Sequence, residues 1–303
     1  MHPEETQIFE SYRSLLEAIA YRMVGSLSEA EDVVQNTYIK WAKVEKEAIR
    51  SPKSWLVTTC SRTAMDVLKS AKVRRLEYVG PWLPEPFIET KSNTPDEKAE
   101  IDDTVSMALM LALEKLTAAE RAALLLHDVF DYSFDEVGEI LKRSSVACRN
   151  LASRARKKAQ TNRTKFKVSP HEHEKLLSTF LDAAQSGDIN SLKSILVESV
   201  ELHSDGGGKV TAARKVVIGN EVVSKFFANI YARPKTGQTQ AVIKHYWYNG
   251  APGIVGFENN KPVVAFSIEI DPESGKIEKL FALRNPDKLK YFCNDALIAE
   301  KSQ

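Results

Sequence analysis

Between Leu76 and Lys98 the chain carries four of its twelve prolines, Pro81, Pro84, Pro86 and Pro95. Each removes a backbone donor and turns the preceding residue away from helix. No helix is expected to cross this stretch, so the segments before and after it are expected to be distinct. A chain of 303 residues has the length for two or three hydrophobic cores. Trp82, Leu83 and Phe87 sit among the prolines, an unusual load for a plain spacer. Two readings stand: an extended linker, or a strip whose aromatic groups bury against a neighbouring domain.

Upstream, residues 5–75 read as three helices. The first runs from about Glu5 to Val24. Ser28 and Glu31 stand three apart as a capping box for the second, where Ala30, Val33, Val34, Thr37, Tyr38 and Trp41 recur at helical spacing. Ser51 and Pro52 read as N-cap and first residue of the third. There Leu56, Cys60, Thr63 and Val67 are expected inward, with Thr58, Arg62, Asp66 and Lys69 on the outer face.

Downstream, helices are expected to resume at about Ala99. Thr117 with Glu120, and Ser133 with Glu136, form capping boxes. The second opens a short helix from Phe134 to Lys142, a turn at Arg143 and Ser144, and a helix from Ser145 to about Lys158. That is the helix-turn-helix pattern. Arg149, Ser153, Arg156 and Lys157 lie roughly on one face of the last helix, with Arg154 and Lys158 adjacent. Val146, Asn150, Ala147 and Ala155 are expected to pack against the preceding helix.

Charge supports a division of labour. The formal net charge is +1, yet Lys142 to Lys167 holds ten Lys or Arg and no Asp or Glu, and residues 1–36 hold seven acidic side chains. Two readings stand: one surface for nucleic acid and another for a protein partner, or merely solvated charged faces. Three scattered cysteines form neither a disulfide framework nor a zinc site, and no metal or cofactor is expected. Met1, His2, Pro3, Glu4 and Glu5 lack the basic start and apolar run of a signal peptide, so the cytoplasm is the expected compartment.

After residue 170 the period changes. Helices near Glu172–Ser186 and Ile189–Leu196 precede a strand at Ser199–His203 and the turn Asp205, Gly206, Gly207, Gly208 and Lys209. A helix from Asn220 to Ala232 follows. Four strand-like runs close the domain: Thr239–Tyr248, Gly253–Glu258, Pro262–Ile270 and Lys276–Leu283. In the third, Val264, Phe266, Ile268 and Ile270 alternate with Ala265, Ser267, Glu269 and Asp271, as in a half-buried strand. The expectation is an α+β domain with an antiparallel meander curved around a helix. His203, Asp205 and Lys209 beside Tyr246, Trp247, Tyr248 and Phe266 could form an acid-base cluster at a pocket. The preferred reading is a tight glycine turn whose Asp205 and Lys209 bind backbone or a neighbouring domain. No enzyme activity is expected. Asn285 and Pro286 read as N-cap and first residue of a last helix, with Asp287 at its positive end.

Residues 5–75 and 99–160 resemble regions 2 and 4 of the extracytoplasmic-function sigma factors. The resemblance rests on Asp32-Val-Val-Gln35 before Trp41, Ser51-Pro-Lys-Ser-Trp-Leu56 and the Arg154-Ala-Arg-Lys-Lys158 ending. The third domain resembles the SnoaL-like branch of the cone fold shared with nuclear transport factor two. A subgroup of these sigma factors carries that domain and three short signatures: Trp82, Leu83, Pro84, Glu85 and Pro86; Asp205 to Lys209; and Asn285, Pro286, Asp287, Lys288 and Leu289.

The resemblance implies two all-α sigma domains, 1–75 and 99–160, a linker at 76–98 and a SnoaL-like domain at 171–295. It implies core RNA polymerase and promoter DNA as partners. Asp32, Gln35 and Asn36 would meet the polymerase. Thr58, Arg62 and Lys69 would meet the −10 element. Arg149, Ser153, Arg154 and Lys157 would enter the major groove at −35, with Lys158 on phosphate. Extended at about 3.3 Å per residue, the linker would reach roughly 75 Å. The third domain would regulate initiation, and an unidentified small-molecule ligand for it is left open. Two alternatives also stand: a helix-turn-helix regulator that needs no polymerase, and a pocket enzyme tethered to DNA.

Overall fold

The computed structural model describes residues 3–88, 105–159, 168–232 and 242–293. Its contacts gather residues 1–77 and 109–162 into one compact unit and 78–108 with 163–303 into a second. The expected linker is thus divided. Its beginning stays with the first unit, Tyr78 onward belongs to the second, and residues 89–98, like the expected helix start at Ala99, lie outside the described residues.

The first unit is all helix: α1 Pro3–Val24, α2 Leu27–Lys43, α3 Pro52–Arg75, α4 Met107–Leu113, α5 Ala118–Asp128, α6 Phe134–Leu141 and α7 Ser145–Ala159, with the unit boundary falling inside α4. The cap of α2 is Ser26, whose hydroxyl accepts from the Glu29 amide, and not the expected pair of Ser28 and Glu31. Gly25, at φ 74°, ends α1 in the left-handed region and lets the next helix start from Ser26, two residues earlier than expected. Ser51 and Pro52 start α3 as expected. Phe9, Leu16, Val33, Val34, Trp41, Leu56 and Cys60 are buried. On α3, Thr63 and Val67 are only half-buried, and the inward stripe runs instead through Val57, Ala64, Leu68 and Ala71. A 24-residue helix rotates past a fixed neighbour, so a stripe set at its first turn drifts along its length.

Both expected capping boxes form, at Thr117/Glu120 and Ser133/Glu136. Between α6 and α7 the turn is made by Lys142 in the left-handed region at φ 54°. It is tight enough that a Cβ on Gly138 would lie 2.7 Å from the Arg143 carbonyl oxygen.

The helices of the first unit are joined by a buried polar knot. Arg121 is fully buried; it donates to the Met23 carbonyl at 2.6 Å, to the Leu113 carbonyl at 3.0 Å and to Glu114. Arg75 reaches Glu114 and the Val24 carbonyl. Burial raises the Glu114 carboxyl, but Arg121 and Arg75 outweigh it and hold the group below its ordinary value. Each guanidinium nitrogen of Arg121 has an acceptor, so this buried charge is both paired and hydrogen-bonded where α1, α4 and α5 meet.

The second unit is α+β, as expected: α8 Pro170–Ser186, α9 Ile189–Ile195, β1 Leu196–Asp205, β2 Val217–Ile218, α10 Asn220–Ala232, β3 Val242–Tyr248, β4 Ala251–Glu258, β5 Lys261–Asp271, β6 Lys276–Leu283 and α11 Pro286–Leu289. The expected start of β3 at Thr239 lies outside the described residues. The six strands run in the order β2-β1-β6-β5-β4-β3. The meander β3 to β6 is antiparallel, while β1 joins β6 in parallel. Register shifts in β1, β4 and β5 bend such a sheet. Phe180, Phe227 and Phe266 meet at 4.9–5.8 Å in the core between helices and sheet.

β5 is not half-buried through its middle. Ala265 and Ser267, on the face expected to meet solvent, are buried, because α11 and the 3-10 turn Lys290–Cys293 pack against β5. Phe292, wholly buried, meets the rings of Tyr246 and Tyr248 edge-on at 5.0 and 5.5 Å. Among the described residues no helix is long and apolar enough to cross a membrane.

Candidate functional site

Three surfaces carry the residues singled out in the sequence. On α2, Asp32, Gln35 and Asn36 are exposed beside one another. Ile39 continues the same stripe one turn on and is 41% exposed. Its spacing of seven from Asp32 is the signal in the sequence that marks it for the same face. An apolar side chain in the middle of a polar stripe is what a protein interface buries.

The expected −10 face on α3 is altered. Lys69 is exposed and pairs loosely with Asp66 at 2.9 Å, whereas Thr58 is half-buried. Arg62 is not on a free outer face: its guanidinium donates to the Ile140 carbonyl at 2.7 Å and to the Glu139 carbonyl at 2.9 Å. These are last-turn carbonyls of α6, which a cation satisfies well.

On α7 the two faces sort differently from expectation. Val146 and Asn150, expected to pack inward, are exposed, Val146 by 62%. With Arg149 and Ser153 they form one stripe at three-four spacing, and Cys148, Leu151, Ala152 and Ala155 are the buried side. The pattern was legible in those four apolar positions; the exposed valine hid it. Arg149 lies over the Phe134 ring at 5.7 Å.

The cations at the end of α7 are partly committed. Arg156 makes a two-pronged pair with Asp128 at 2.6 and 2.7 Å. Lys158 holds Glu120 at 2.8 and 2.9 Å, and Arg154 stands 3.5 Å from the same carboxylate. Burial raises the Glu120 carboxyl, yet Lys158 and the Thr117 amide and hydroxyl bring it down to about 2. Lys157 is exposed.

The third surface lies within the second unit, where the three short signatures converge on one carboxylate. Asp205 is fully buried and receives the Tyr78 hydroxyl at 2.6 Å, the Leu83 amide at 2.8 Å, the Gly207 amide at 3.0 Å and the Lys288 ammonium at 2.7 Å. Lys288 also donates to the Leu83 carbonyl at 2.5 Å and lies over the rings of Trp82 and Tyr78 at 4.2 and 5.0 Å. Leu83 and Glu85 are buried. Asn285 caps α11 through the Asp287 amide and donates to the Tyr78 hydroxyl at 2.8 Å. Burial and then the Asp205 hydrogen bond push the Tyr78 hydroxyl above its ordinary value. Gly207, at φ 60°, has no room for a Cβ, which would fall 2.3 Å from the Asn285 Nδ2.

Tyr78 and Asn249 went unnoticed in the sequence. The Asn249 carboxamide, in the left-handed turn after β3, accepts from the Phe87 amide at 3.0 Å and donates to the Val105 carbonyl at 2.8 Å. Ile88 adds a bridge to Tyr248. The linker from Tyr78 to Ile88 therefore docks on the sheet, and the plain-spacer reading is set aside.

The acid-base cluster does not assemble. His203 bonds Glu201 at 2.8 Å, Lys209 bonds Asp287 at 2.5 Å, and Asp205 is saturated by the linker and Lys288. Nor do the expected pocket aromatics meet, since Tyr246 and Tyr248 pack on Phe292 while Phe266 belongs to the core beneath the helices.

Residues 8–74 match the family described as Sigma-70 region 2, and residues 106–158 the family described as Sigma-70, region 4. The chain is similar to the ECF RNA polymerase sigma factor SigJ of Mycobacterium tuberculosis, at 33% identity over 294 residues, covering 94% of this chain and 93% of the relative. It is similar to the probable ECF RNA polymerase sigma factor SigI of the same species, at 28% over 291 residues, covering 95% and 96%. The crystal structure of the M. tuberculosis extracytoplasmic function sigma factor SigJ superposes with a TM-score of 0.73 at 29% identity, covering 94% of this chain and 98% of that one. The chain belongs to the extracytoplasmic-function sigma factors, which bind core RNA polymerase and direct promoter-specific transcription initiation.

Proposed function

We propose that the SnoaL-like domain of this sigma factor controls initiation by holding the linker between the two promoter-reading regions. The observation that carries this is the Asp205 carboxylate, which joins Tyr78, Leu83 and Lys288. A docked stretch from Tyr78 to Ile88 removes about half of the linker's extended reach, which at about 3.3 Å per residue is on the order of 35 Å. Docking thus sets the tether available between −10 and −35 contacts.

In this reading α2 meets the polymerase through Asp32, Gln35, Asn36 and Ile39. On α7, Arg149, Asn150, Ser153 and Val146 face base edges, and Lys157 contacts phosphate. Arginine suits guanine, asparagine suits adenine, and an exposed valine suits a thymine methyl. Arg62 reaches DNA only after α6 leaves it, so opening of the first unit precedes −10 contact. The protein acts where its polymerase is, in the cytoplasm, and no catalytic step is assigned to the third domain.

Leu289 and Phe292 are core residues, so a truncation that removes them would expose the sheet and could not report on the linker alone. A point change is the better test. In vitro transcription with core polymerase is run on promoters whose spacer differs by single base pairs. The wild type should prefer a narrow range of spacers, and Asp205→Asn should broaden it. An identical spacer profile for both proteins would refute control through linker length.

A further inference from the structure

Beside the docked linker lies a cavity of about 640 Å³ that the sigma function leaves unused. Its walls are Val79 and Gly80 of the linker, the glycine turn, residues 210–214 and Arg284. Three of the lining side chains are charged, Lys209, Arg214 and Arg284, and all three are cations; no carboxylate belongs to the lining. Arg284 is fixed by a bond from its guanidinium to the Thr211 carbonyl, which leaves further donors of its five. Arg214 is exposed and makes no ion pair among the described residues. Lys209 is shared with Asp287.

Three of the other lining residues, Gly80, Gly206 and Gly208, carry no side chain, and the space beside two of them is closed to one. A Cβ on Gly206 would lie 2.5 Å from the Val210 carbonyl oxygen, and one on Gly208 would lie 3.2 Å from the Val79 Cβ. The volume falls in the range of small-molecule sites, but a lining whose charged side chains are all cations suits an anionic guest more than an apolar one.

We propose that this cavity binds a small oxyanionic metabolite, carrying phosphate or carboxylate groups, and that its occupancy tightens the docked linker. The second half rests on the linker-docking reading above. The coupling is direct, because Val79 and Gly80 form part of the cavity wall and Arg284 precedes Asn285, which donates to the Tyr78 hydroxyl.

The test uses the full chain with two probes, inorganic pyrophosphate and citrate, titrated calorimetrically at constant ionic strength. Saturable binding of pyrophosphate alone marks a phosphate guest, and of citrate alone a carboxylate guest; either supports the site. Arg214→Glu, an exposed change outside the Asp205 cluster, should weaken binding at least tenfold, and Arg214→Lys should retain most of it. Arg149→Ala, on the recognition helix, should bind as the wild type does, which separates this site from anions held on the DNA-reading surface. Binding of neither probe, or equal binding by Arg214→Glu, overturns the site. Amide exchange across residues 78–88 reads the coupling. Protection in the free chain that deepens with the probe supports it, and protection that the bound probe leaves unchanged overturns it. Absence of protection in the free chain would instead overturn the docking reading itself.

Discussion

Asp205→Asn is the sharpest perturbation of the docking site, because it changes one charge and almost no volume. In the native chain the Lys288 ammonium, 7% exposed, faces a carboxylate with no exposure. An asparagine still accepts from the Leu83 amide, but it leaves Lys288 buried without a countercharge. Breaking a buried pair on one side costs about 3–5 kcal/mol, against a total stability of about 5–15 kcal/mol for a domain. For a unit of this size each kcal/mol moves the midpoint by about 2–4 °C, so the second unit should melt on the order of 10 °C lower. Lys288→Met keeps the stem over Trp82 and removes the ammonium, stranding the carboxylate instead, and should cost a similar amount. The double variant has no uncompensated charge and should recover about 2 kcal/mol or more relative to the sum of the singles. Thermal unfolding of the full chain, followed by circular dichroism, gives all three values. Additivity within about 0.5 kcal/mol would show that the pair is not what ties linker to domain.

On α7, Arg149→Ala and Asn150→Ala should each cost about 1–3 kcal/mol at a −35 element and relax preference at one base. Lys157→Ala should weaken all sequences alike and lower the salt slope by about one. Lys158→Ala, its ammonium already held by Glu120, should leave the slope unchanged, and equal slopes for the two lysine variants would refute that sorting. Asp32→Ala with Gln35→Ala should weaken capture by core polymerase in a pull-down without lowering the melting point, since both side chains are exposed; native capture would remove this surface from the argument. His173 is pushed down to about 4 by burial, and its Nε2 has no hydrogen-bond partner among the described residues. The unfolded chain takes a proton there near its ordinary 6.5 while the folded chain resists. Stability should therefore be full above that value and fall by up to about 3 kcal/mol as the pH drops to about 4. Denaturant titrations of wild type and His173→Gln across that window check it, and the variant should lose the slope.

How much of this was legible in the sequence depends on whether the deciding interaction was local. The capping boxes at Thr117 and Ser133 were readable because donor and acceptor lie three residues apart. The same reasoning failed at Ser28, where a left-handed Gly25 one turn upstream decided which serine became the cap. On α7 the helix was plain but its orientation was not. An exposed Val146 contradicts the ordinary weighting of apolar side chains, and only the buried Cys148, Leu151 and Ala155 fix the other face. Arg62 and Lys158 looked like free cations because their acceptors, the Ile140 carbonyl and Glu120, lie 78 and 38 residues away.

The linker lies between these cases. Its composition announced burial, since Trp82, Leu83 and Phe87 among prolines have little use in water, and the glycine turn announced a close approach. Neither named the partner, because Asp205 stands 127 residues from Tyr78 and 83 from Lys288. Prolines explain why the strip can dock at all. A segment short of amide donors leaves fewer backbone groups to satisfy when it is laid on a sheet. The Leu83 amide, beside those prolines, is answered by Asp205, and the Leu83 carbonyl by Lys288. The carboxylate and ammonium that pair with each other thus also satisfy the two backbone polar groups of Leu83, a linker residue with no exposed surface. Losing the Lys288 ammonium leaves the Leu83 carbonyl short of a partner as well, which is why linker release and domain destabilisation are expected together.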